Sequence, residues 1–543
     1  MRQSLQSHLD AQKTQSERNK LGQFATPTRL AIDMLKYAET LLPADLKIRF
    51  LDPAFGTGSF YSALLQTFSH SRIAETVGYE IDVTYGNKAI ELWRDTPLKL
   101  NLSDFTIATP PSPEEAKANL LICNPPYVRH HHLTQDEKLR LQGLTQQVTG
   151  ARLSGLTGLY CYFLCLSYGW MAENGIAGWL IPSEFMDVNY GQEVKKFLLS
   201  HVTLLRIHRF DPKDMQFGDA LVSSAVVWFK KAVPAANQPV EFTEGGTLME
   251  PKLAMCISVD VLRHALKWTR FFRGVSSTVR LTSSPTAVLQ GEGSNAPPFL
   301  CREGGVRGLG SPSTQPEKKQ FKLSDLFTIK RGLATGANQF FILTPEQVFD
   351  YQIPVDLLKP ILPSPRYLSA DEIEADSLGN PILDRQLFLL ACDFPEDKVK
   401  TAYPFLWKYL QWGVNSGVSQ RYLCRHRSPW YSQEKRPASR FLCTYMGREG
   451  TKSGSLFRFI LNHSQATAAN VYLMLYPKLT LEKVLKGNPE IVKVVWQALN
   501  RISAEILKGE GRVYGGGLHK LEPSELGNIP ADNLLAVLPA LSE

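Results

Sequence analysis

A run of four apolar residues, Leu120 to Cys123, ends abruptly on the tetrapeptide Asn124-Pro125-Pro126-Tyr127. Such a run is typical of a strand that is buried on both faces of a parallel sheet. Because neither proline can donate a hydrogen bond to a neighbouring strand and both fix the backbone angle φ, the chain after Cys123 forms a stiff turn. In an open α/β sheet, ligands bind in the crevice beyond the carboxyl ends of the strands. The stretch therefore predicts a sheet with a binding site at this turn.

The same turn carries groups that suit a planar amino group. The amide oxygen of Asn124 and the carbonyl oxygens of the turn can accept hydrogen bonds, and the ring of Tyr127 offers a stacking surface. The exocyclic nitrogen of a nucleobase has this chemistry. A proline turn that merely ends a strand explains the tetrapeptide equally well, so the rest of the chain must decide.

Length and composition limit the class of protein. A chain of 543 residues with 43% hydrophobic and 21% charged residues predicts two or three globular domains. No apolar run reaches the roughly 18 residues that span a bilayer, and the N-terminus lacks a secretory signal, so we expect a cytoplasmic protein with no membrane partner. The eight cysteines form no C-x-x-C pair, which indicates neither a metal site nor a disulfide framework. A net charge of +8 is compatible with a polyanionic partner.

A glycine-rich turn marks a second candidate site. The predicted strand 48–52 ends at Asp52 and leads through 53–58 into a helix that begins near Ser59. A strand, a glycine turn and a helix N-terminus let the backbone approach a ligand closely. Tyr61 stands where a dinucleotide-binding pattern has its last glycine, which argues against NAD. Glu80 ends the next strand, where an acidic residue can accept hydrogen bonds from ribose hydroxyls.

Alternating strands and helices predict the domain organisation. About 210 residues of this alternation indicate an α/β fold with a doubly wound, mostly parallel sheet. We expect an N-terminal arm at 1–20, the sheet domain at 21–231 and a linker or insertion at 232–318. We expect residues 319–543 to form a second, α+β region.

Five segments, in this order, resemble the motifs of the gamma class of DNA adenine-N6 methyltransferases, which are common in type II restriction–modification systems. They are Gly22–Pro27, Asp52–Gly58, Glu80, Asp104-Phe105 and Asn124–Tyr127. The resemblance covers residues 20–231 and extends more loosely to 331–338 and 514–518, which look like parts of target recognition domains. It implies a seven-stranded S-adenosylmethionine-dependent methyltransferase sheet in 21–231 and a DNA-binding recognition domain in 319–543.

The resemblance also implies the cofactor and the residues around it. S-adenosylmethionine is expected, with the ribose hydroxyls at Glu80, the adenine packed on Ile81, and the adenine edge at Asp104 and Phe105. No metal is implied. The methionine part would be surrounded by Gln23, Phe24, Thr26, Pro27, Asp52, Ala54, Gly56 and Gly58.

Transfer of the methyl group to adenine needs few catalytic groups from the protein, because the methyl donor is already a strong electrophile. By the resemblance, the Asn124 side chain and the Pro125 carbonyl accept both hydrogens of the amino group, within a turn that Pro126 stiffens. Accepting both hydrogens favours a pyramidal nitrogen with its lone pair free for attack. Tyr127 and Phe217 would stack on an adenine flipped out of duplex DNA.

The resemblance implies two partners, which are double-stranded DNA and a separately encoded restriction endonuclease. Seven basic residues between 421 and 448, interleaved with Tyr422, Trp430, Tyr431 and Phe441, suit contacts to phosphates and bases. They are Arg421, Arg425, Arg427, Lys435, Arg436, Arg440 and Arg448.

Three other functions remain open. A methyltransferase for protein glutamine-N5 also acts on a planar amide nitrogen, and an RNA methyltransferase is a further variant. Neither of these two classes of methyltransferase has a segment like Gly22–Pro27 or a large recognition region, so the length of this chain argues against both classes. A non-catalytic DNA specificity subunit would not need the intact cofactor and Asn124–Tyr127 motifs.

Overall fold

The computed structural model describes residues 2–210, 223–235, 238–273, 321–448, 456–514 and 518–538. The chain divides into two compact units, one made of residues 1–312 with 514–516 and the other of residues 313–513 with 517–543. Within the described ranges, no helix is both long enough and apolar enough to cross a membrane. Phe217 and the segment around it lie outside the described residues.

The first unit consists of alternating helices and strands. In chain order they are α1 (Arg2–Ala11), α2 (Gln15–Leu21), α3 (Thr28–Leu41), β1 (Ile48–Asp52), α4 (Ser59–Thr67), β2 (Ile73–Tyr79), α5 (Val83–Trp93), β3 (Leu98–Asn101), β4 (Ala118–Cys123), α6 (Gln135–Thr149), α7 (Leu159–Leu166), β5 (Met171–Pro182), α8 (Gln192–Ser200), β6 (Thr203–Arg209), β7 (Ser224–Lys230), β8 (Pro239–Gly246), β9 (Pro251–Ser258) and α9 (Val259–His264).

The strands form one sheet in the order β3-β2-β1-β4-β5-β7-β6-β8-β9. Strands β3, β2, β1, β4 and β5 run parallel, and β7 runs antiparallel to both β5 and β6. Successive residues of β4 enter different cores: Leu121 packs in the core on one face and Ile122 in the core on the other. This confirms the predicted doubly wound, mostly parallel α/β sheet.

Residues 21–231 contain the seven predicted strands, β1 to β7, but the sheet continues with β8 and β9, so the prediction of a linker from residue 232 was wrong. Strand β8 pairs parallel with β6, and β9 pairs antiparallel with β8. Arg206 of β6 and Glu241 of β8 form a buried ion pair, and the Arg206 Nε lies 2.6 Å from a Glu241 carboxylate oxygen. The sheet therefore extends through 239–258. The Pro- and Gly-rich composition around these strands is typical of a linker, so the sequence pattern did not predict that they pair with the sheet.

The N-terminal arm is also part of the first unit. Residues 2–21 form α1 and α2 rather than a separate segment. Arg2 is buried, and its guanidinium donates to the Ser59 hydroxyl at 2.8 Å and to the Thr28 hydroxyl at 2.7 Å. The boundary predicted at residue 20 does not separate two structural units.

The second unit has an α+β fold with three small sheets. Its elements are α10 (Leu323–Leu326), β10 (Phe327–Arg331), α11 (Asn338–Phe341), β11 (Ile342–Leu343), α12 (Pro345–Asp350), β12 (Leu358–Leu362), β13 (Glu372–Ile373), β14 (Phe388–Leu390), α13 (Glu396–Ala402), α14 (Pro404–Asn415), α15 (Tyr422–Arg425), β15 (Phe441–Thr444), β16 (Met446–Arg448), β17 (Phe459–Asn462), β18 (Thr467–Ala468), β19 (Tyr472–Pro477), α16 (Leu479–Leu485), α17 (Pro489–Asn500), α18 (Ala504–Glu510), β20 (Arg512–Tyr514), β21 (Leu518–Lys520), α19 (Pro523–Gly527) and α20 (Asp532–Val537). Among the described residues, the strand orders of the three sheets are β10-β19-β15-β17-β13, β11-β14-β12-β18 and β16-β21-β20.

Candidate active site

A cavity of about 470 Å³ lies at the carboxyl ends of β1, β2 and β4 in the first unit. Its volume is within the range of small-molecule sites, and its position is where ligands bind in doubly wound sheets. Twelve of the residues predicted from the sequence line it: Gln23, Phe24, Thr26, Asp52, Ala54, Gly56, Glu80, Ile81, Asp104, Phe105, Asn124 and Pro126. The fold thus brings together residues that are spread over more than a hundred positions.

The turn after β1 depends on its glycines. Gly56 and Gly58 have φ of +58° and +85°, a backbone region that side chains other than glycine rarely adopt. A Cβ on Gly58 would lie 2.8 Å from the ring of Phe55. Gly58 precedes α4 and does not line the cavity, so it shapes the turn, whereas Gly56 lines the cavity itself.

Asp52 is the buried carboxylate of this turn. One of its oxygens accepts a hydrogen bond from the Ala54 amide at 3.1 Å, and the other has no partner among the described residues. Burial, with a contribution from the charge of Glu80, raises the pKa of Asp52 to about 8. A buried acceptor without a donor is rare and costly. Asp52 therefore fits a ligand that brings a cationic donor, such as an ammonium group.

Glu80 is held at the end of β2 by two backbone amides. Its carboxylate oxygens accept hydrogen bonds from the amides of Gly56 at 2.8 Å and Asp82 at 2.7 Å. Burial nevertheless raises the pKa of Glu80. Each oxygen keeps a second lone pair for a ligand hydroxyl. The neighbouring Ile81 lines the cavity with its side chain 69% exposed, an apolar surface that a flat ligand ring would cover.

Asp104 and Phe105 form the far wall. Asp104 accepts hydrogen bonds from the amide and the hydroxyl of Thr106, both at 2.8 Å, and Arg140 of α6 lies 3.6 Å from its carboxylate. Phe105 is buried and contacts the ring of Trp170. Phe105 thus anchors the wall in the core, while Asp104 presents a carboxylate to the cavity.

The cavity is strongly acidic. Among the described lining residues, Arg140 is the one that always carries a positive charge. Negative charge around an enclosed site favours a positively charged ligand. The acidic lining residues are Asp10, Asp52, Glu80, Asp82, Asp104 and Glu137.

Asn124 has a fixed amide orientation. Its nitrogen donates to the carbonyl oxygen of Phe24 at 2.9 Å and to the Thr26 hydroxyl oxygen at 3.1 Å. Because only the nitrogen can donate to a carbonyl, these bonds determine which atom is the oxygen. That oxygen is buried and has no partner among the described residues. The turn after β4 therefore holds an unsatisfied acceptor at the cavity.

The segment Gly22–Pro27 crosses this turn at close range. The amide of Tyr127 donates to the Gly22 carbonyl oxygen at 3.2 Å. Gly22 has φ of +67°, and a Cβ there would lie 2.4 Å from the Tyr127 amide nitrogen. Pro27 precedes α3 and does not line the cavity. Gly22 is therefore required because the two segments pass too close together there for a side chain.

Two predicted members of the turn do not line the cavity, namely Pro125 and Tyr127. The Tyr127 ring is 8% exposed, lies 5.8 Å from the ring of Phe24, and its hydroxyl donates to the Leu180 carbonyl oxygen at 3.1 Å. In this conformation Tyr127 is a core residue and does not offer the stacking surface that the sequence predicted.

Several lining residues were not predicted, notably Gln6 and Asp10 of α1, Tyr85 of α5 and Arg140 of α6. None belongs to a recognisable motif. The spacing of four between Gln6 and Asp10, which places them on one helix face, is the only signal that the sequence offers.

The basic and aromatic residues of 421–448 differ in burial, and Trp430 and Arg436 are half-buried. Tyr431 and Phe441 are buried, and Arg427 donates to the carbonyl oxygens of Thr335 at 2.8 Å and Ala334 at 2.7 Å. These three are structural, so the predicted cluster was too broad. The exposed members are Arg421, Tyr422, Arg425, Lys435, Arg440 and Arg448.

Known families match both parts of the chain. The model described as Eco57I restriction-modification methylase matches residues 69–216. The model described as Type II methyltransferase M.Eco57I, C-terminal domain, matches residues 313–540.

Two curated relatives align along most of the chain. Type II methyltransferase M.AccI of Acinetobacter calcoaceticus is 25% identical over 516 residues, which are 94% of this chain and 85% of the relative. Type II methyltransferase M.XamI of Xanthomonas campestris pv. amaranthicola is 25% identical over 500 residues, or 90% and 81% of the two chains. Among solved structures, the type IIL restriction–modification enzyme MmeI aligns with a TM-score of 0.48 and 11% identity over 89% of this chain and 68% of that chain.

These relatives are named for one activity, and their alignments run through both units. The two family models likewise fall one in each unit. Over both units the chain is therefore similar to the DNA methyltransferases of type II restriction–modification systems.

Proposed function

We propose that the protein transfers a methyl group from S-adenosylmethionine to the N6 nitrogen of an adenine flipped out of duplex DNA, as a gamma-class enzyme. The observation that carries the proposal is the unpartnered amide oxygen of Asn124 at an acidic cavity. An acceptor held in this way suits an amino group with two hydrogens. The acidic walls suit a donor that carries both a sulfonium and an ammonium group.

The family and the fold imply S-adenosylmethionine, and the residues present fit it. When bound, this cofactor supplies an electrophilic methyl group. The unpaired oxygen of Asp52 would receive its ammonium group. Glu80 would accept hydrogen bonds from the ribose hydroxyls, Ile81 would cover the adenine, and Asp104 would accept from the adenine amino group.

Asn124 is proposed to activate the target nitrogen. Its oxygen and the Pro125 carbonyl accept the two amino hydrogens, which favours a pyramidal nitrogen with an available lone pair. Positive charge develops on that nitrogen during transfer, so both hydrogen bonds strengthen in the transition state. Since Phe24 and Thr26 already hold the amide, little reorganisation is needed at that moment.

The flipped base needs stacking partners, because flipping costs a few kcal/mol and stacking returns roughly 1–3 kcal/mol per base. Phe217 and Tyr127 are the proposed partners. Tyr127 can serve only if the turn shifts when DNA binds, because its ring is almost fully buried here.

The second unit is proposed to recognise the DNA target. The exposed arginines Arg421, Arg425, Arg440 and Arg448 supply positive charge for phosphate contacts. By analogy with the systems for which the relatives are named, a separately encoded restriction endonuclease would cleave the same site when it is unmethylated.

The test incubates the full chain and labelled S-adenosylmethionine with DNA from a host without methyltransferases and, in parallel reactions, with RNA and with a translation factor. The DNA is hydrolysed, its nucleosides are separated by mass spectrometry, and the methylated positions are located by sequencing. We expect N6-methyladenine within one short sequence. Label in N4-methylcytosine, in RNA, in a translation factor glutamine or in no substrate would overturn the proposal.

A further inference from the structure

Helix α1 forms part of the wall of the cofactor cavity. Gln6 and Asp10, one turn apart on this helix, both line the cavity. The Gln6 amide oxygen accepts a hydrogen bond from Thr57 at 2.6 Å, and Asp10 accepts one from the Tyr85 hydroxyl at 2.7 Å. Thr57 lies in the glycine turn and Tyr85 lies just beyond Glu80 and Ile81. The helix therefore contacts both ends of the proposed cofactor site.

Lys13, just after α1, holds the helix to the end of β2. Its ammonium group forms an ion pair with Asp82, donates to the Gln23 side-chain oxygen at 2.9 Å and lies 4.8 Å from the centre of the Tyr85 ring. Gln23 also donates to Asp82, at 2.8 Å. Burial would raise the pKa of Asp82, but hydrogen bonds from Lys13 and Gln23 outweigh it and leave that pKa below its ordinary value. Lys13 thus joins α1 to two segments that line the cavity.

Few apolar contacts fix α1 in place. Of its ten residues, Arg2 and Leu9 are the buried ones. A segment with little buried apolar surface opens more readily than the core around it. Polar contacts therefore decide whether α1 stays over the cavity.

We propose that residues 2–13 belong to the cofactor site: Gln6 and Asp10 contact bound S-adenosylmethionine, and the Lys13–Asp82 ion pair keeps the helix closed over it. The inference rests on the proposed function, because it takes the cavity as the site of that cofactor. An acidic side chain from α1 adds to the negative charge that favours a sulfonium ligand. Closure by α1 slows both the entry and the release of the cofactor.

The test measures the dissociation rate of S-adenosylmethionine from the full chain by stopped-flow fluorescence. Lys13→Ala should raise this rate about fivefold, as expected for a partly buried ion pair with two further contacts. Lys13→Arg, which keeps the charge, should restore most of the parent rate. The matched control is Lys88→Ala, because Lys88 forms an exposed ion pair with Glu91 on α5 and does not line the cavity.

Three further measurements separate a role in binding from a role in folding. Asp10→Asn should weaken equilibrium binding of S-adenosylmethionine more than that of its uncharged-sulfur product, with the melting temperature of the free protein unchanged. In the parent, hydrogen exchange of residues 2–13 should slow when S-adenosylmethionine is added, and higher salt should speed dissociation because it screens the ion pair.

Each failure has a distinct meaning. If the parent binds the cofactor but Lys13→Ala leaves its dissociation rate unchanged, or residues 2–13 gain no protection, the role of α1 is refuted. If Lys13→Ala only lowers the melting temperature, the ion pair is structural and the inference is also wrong. If the parent binds no S-adenosylmethionine, the proposed function itself fails and this inference fails with it.

Discussion

The side-chain nitrogen of Asn124 donates to the main-chain carbonyl oxygen of Phe24, 100 residues earlier in the chain, at 2.9 Å. One motif thus orients the side chain that another motif supplies. Thr26 provides the second acceptor, at 3.1 Å. Because both amide hydrogens are used, the amide oxygen remains as the group that can accept a hydrogen from the substrate.

Asn124→Ala removes the proposed acceptor. We expect near-normal binding of S-adenosylmethionine and a loss of at least about 10²-fold in single-turnover methylation, as for other preorganised polar groups. Asn124→Asp should also lose activity, because a carboxylate cannot donate to the Phe24 carbonyl and would be repelled by it. A single-turnover rate of either variant within about threefold of the parent would remove Asn124 from the mechanism.

Thr26 tests the orientation of Asn124 without touching the acceptor. Thr26→Val keeps the shape but deletes the hydroxyl oxygen that accepts from Asn124, whereas Thr26→Ser keeps that oxygen. We expect Thr26→Val to lower turnover about tenfold, the cost of one hydrogen bond to a positioned group, and Thr26→Ser to stay near the parent. Equal rates for the two variants would show that the bond is not needed.

Asp52 makes stability depend on pH. Its pKa is about 8 in the folded protein and near 4 when unfolded, so between these values the folded state holds a proton that the unfolded state has lost. The parent therefore loses stability as pH rises through this window, by up to about 1.4 kcal/mol per unit, and levels off above it. Asp52→Asn removes this loss.

In the absence of cofactor, Asp52→Asn should accordingly melt higher than the parent, and the difference should grow between about pH 5 and pH 8. Calorimetry of both proteins across this range checks the prediction. The same variant should bind S-adenosylmethionine much more weakly, since it lacks the carboxylate for the ammonium group. A melting difference that is constant with pH would contradict the raised pKa.

Strands β8 and β9 should be essential to the first unit. A fragment of residues 1–231 lacks Glu241 and leaves the buried Arg206 without its ion partner. This loss should lower the free energy of unfolding by about 3–5 kcal/mol. A fragment of residues 1–312 keeps the whole sheet. We expect only the longer fragment to unfold cooperatively and to bind S-adenosylmethionine. Equal melting curves for the two fragments would contradict the nine-stranded sheet.

The exposed arginines of the second unit should act on DNA affinity without setting its sequence preference. In the full chain, replacing Arg421 and Arg425 by alanine should weaken the binding of specific and scrambled duplexes alike. It should also reduce by about two the slope of log affinity against log salt concentration. Arg427→Ala should instead lower the melting temperature, because Arg427 binds two carbonyl oxygens within the fold. Binding titrations at several salt concentrations distinguish the two outcomes. An unchanged slope would remove the pair from the DNA surface.

The sequence alone determined the elements whose signal is local. The run Leu120–Cys123 followed by two prolines predicted a strand buried on both faces and a site at its end, because neighbouring residues decide both features. The acidic residues that end β1 and β2 were identified for the same reason. Twelve of the predicted site residues line one cavity, since motifs at strand ends meet at one edge of a parallel sheet.

Tertiary structure decided the rest, because the deciding partners are distant in the chain. Strands β8 and β9 belong to the sheet through pairing with β6, which composition cannot reveal. Tyr127 has the residue type of a stacking ring, yet its contacts with Phe24 and Leu180 bury it. Helix α1 carries no motif, and its place at the cavity depends on polar bonds to Thr57, Tyr85 and Asp82. Burial and hydrogen-bond partners are properties of the folded chain, so residue type and spacing could not provide them.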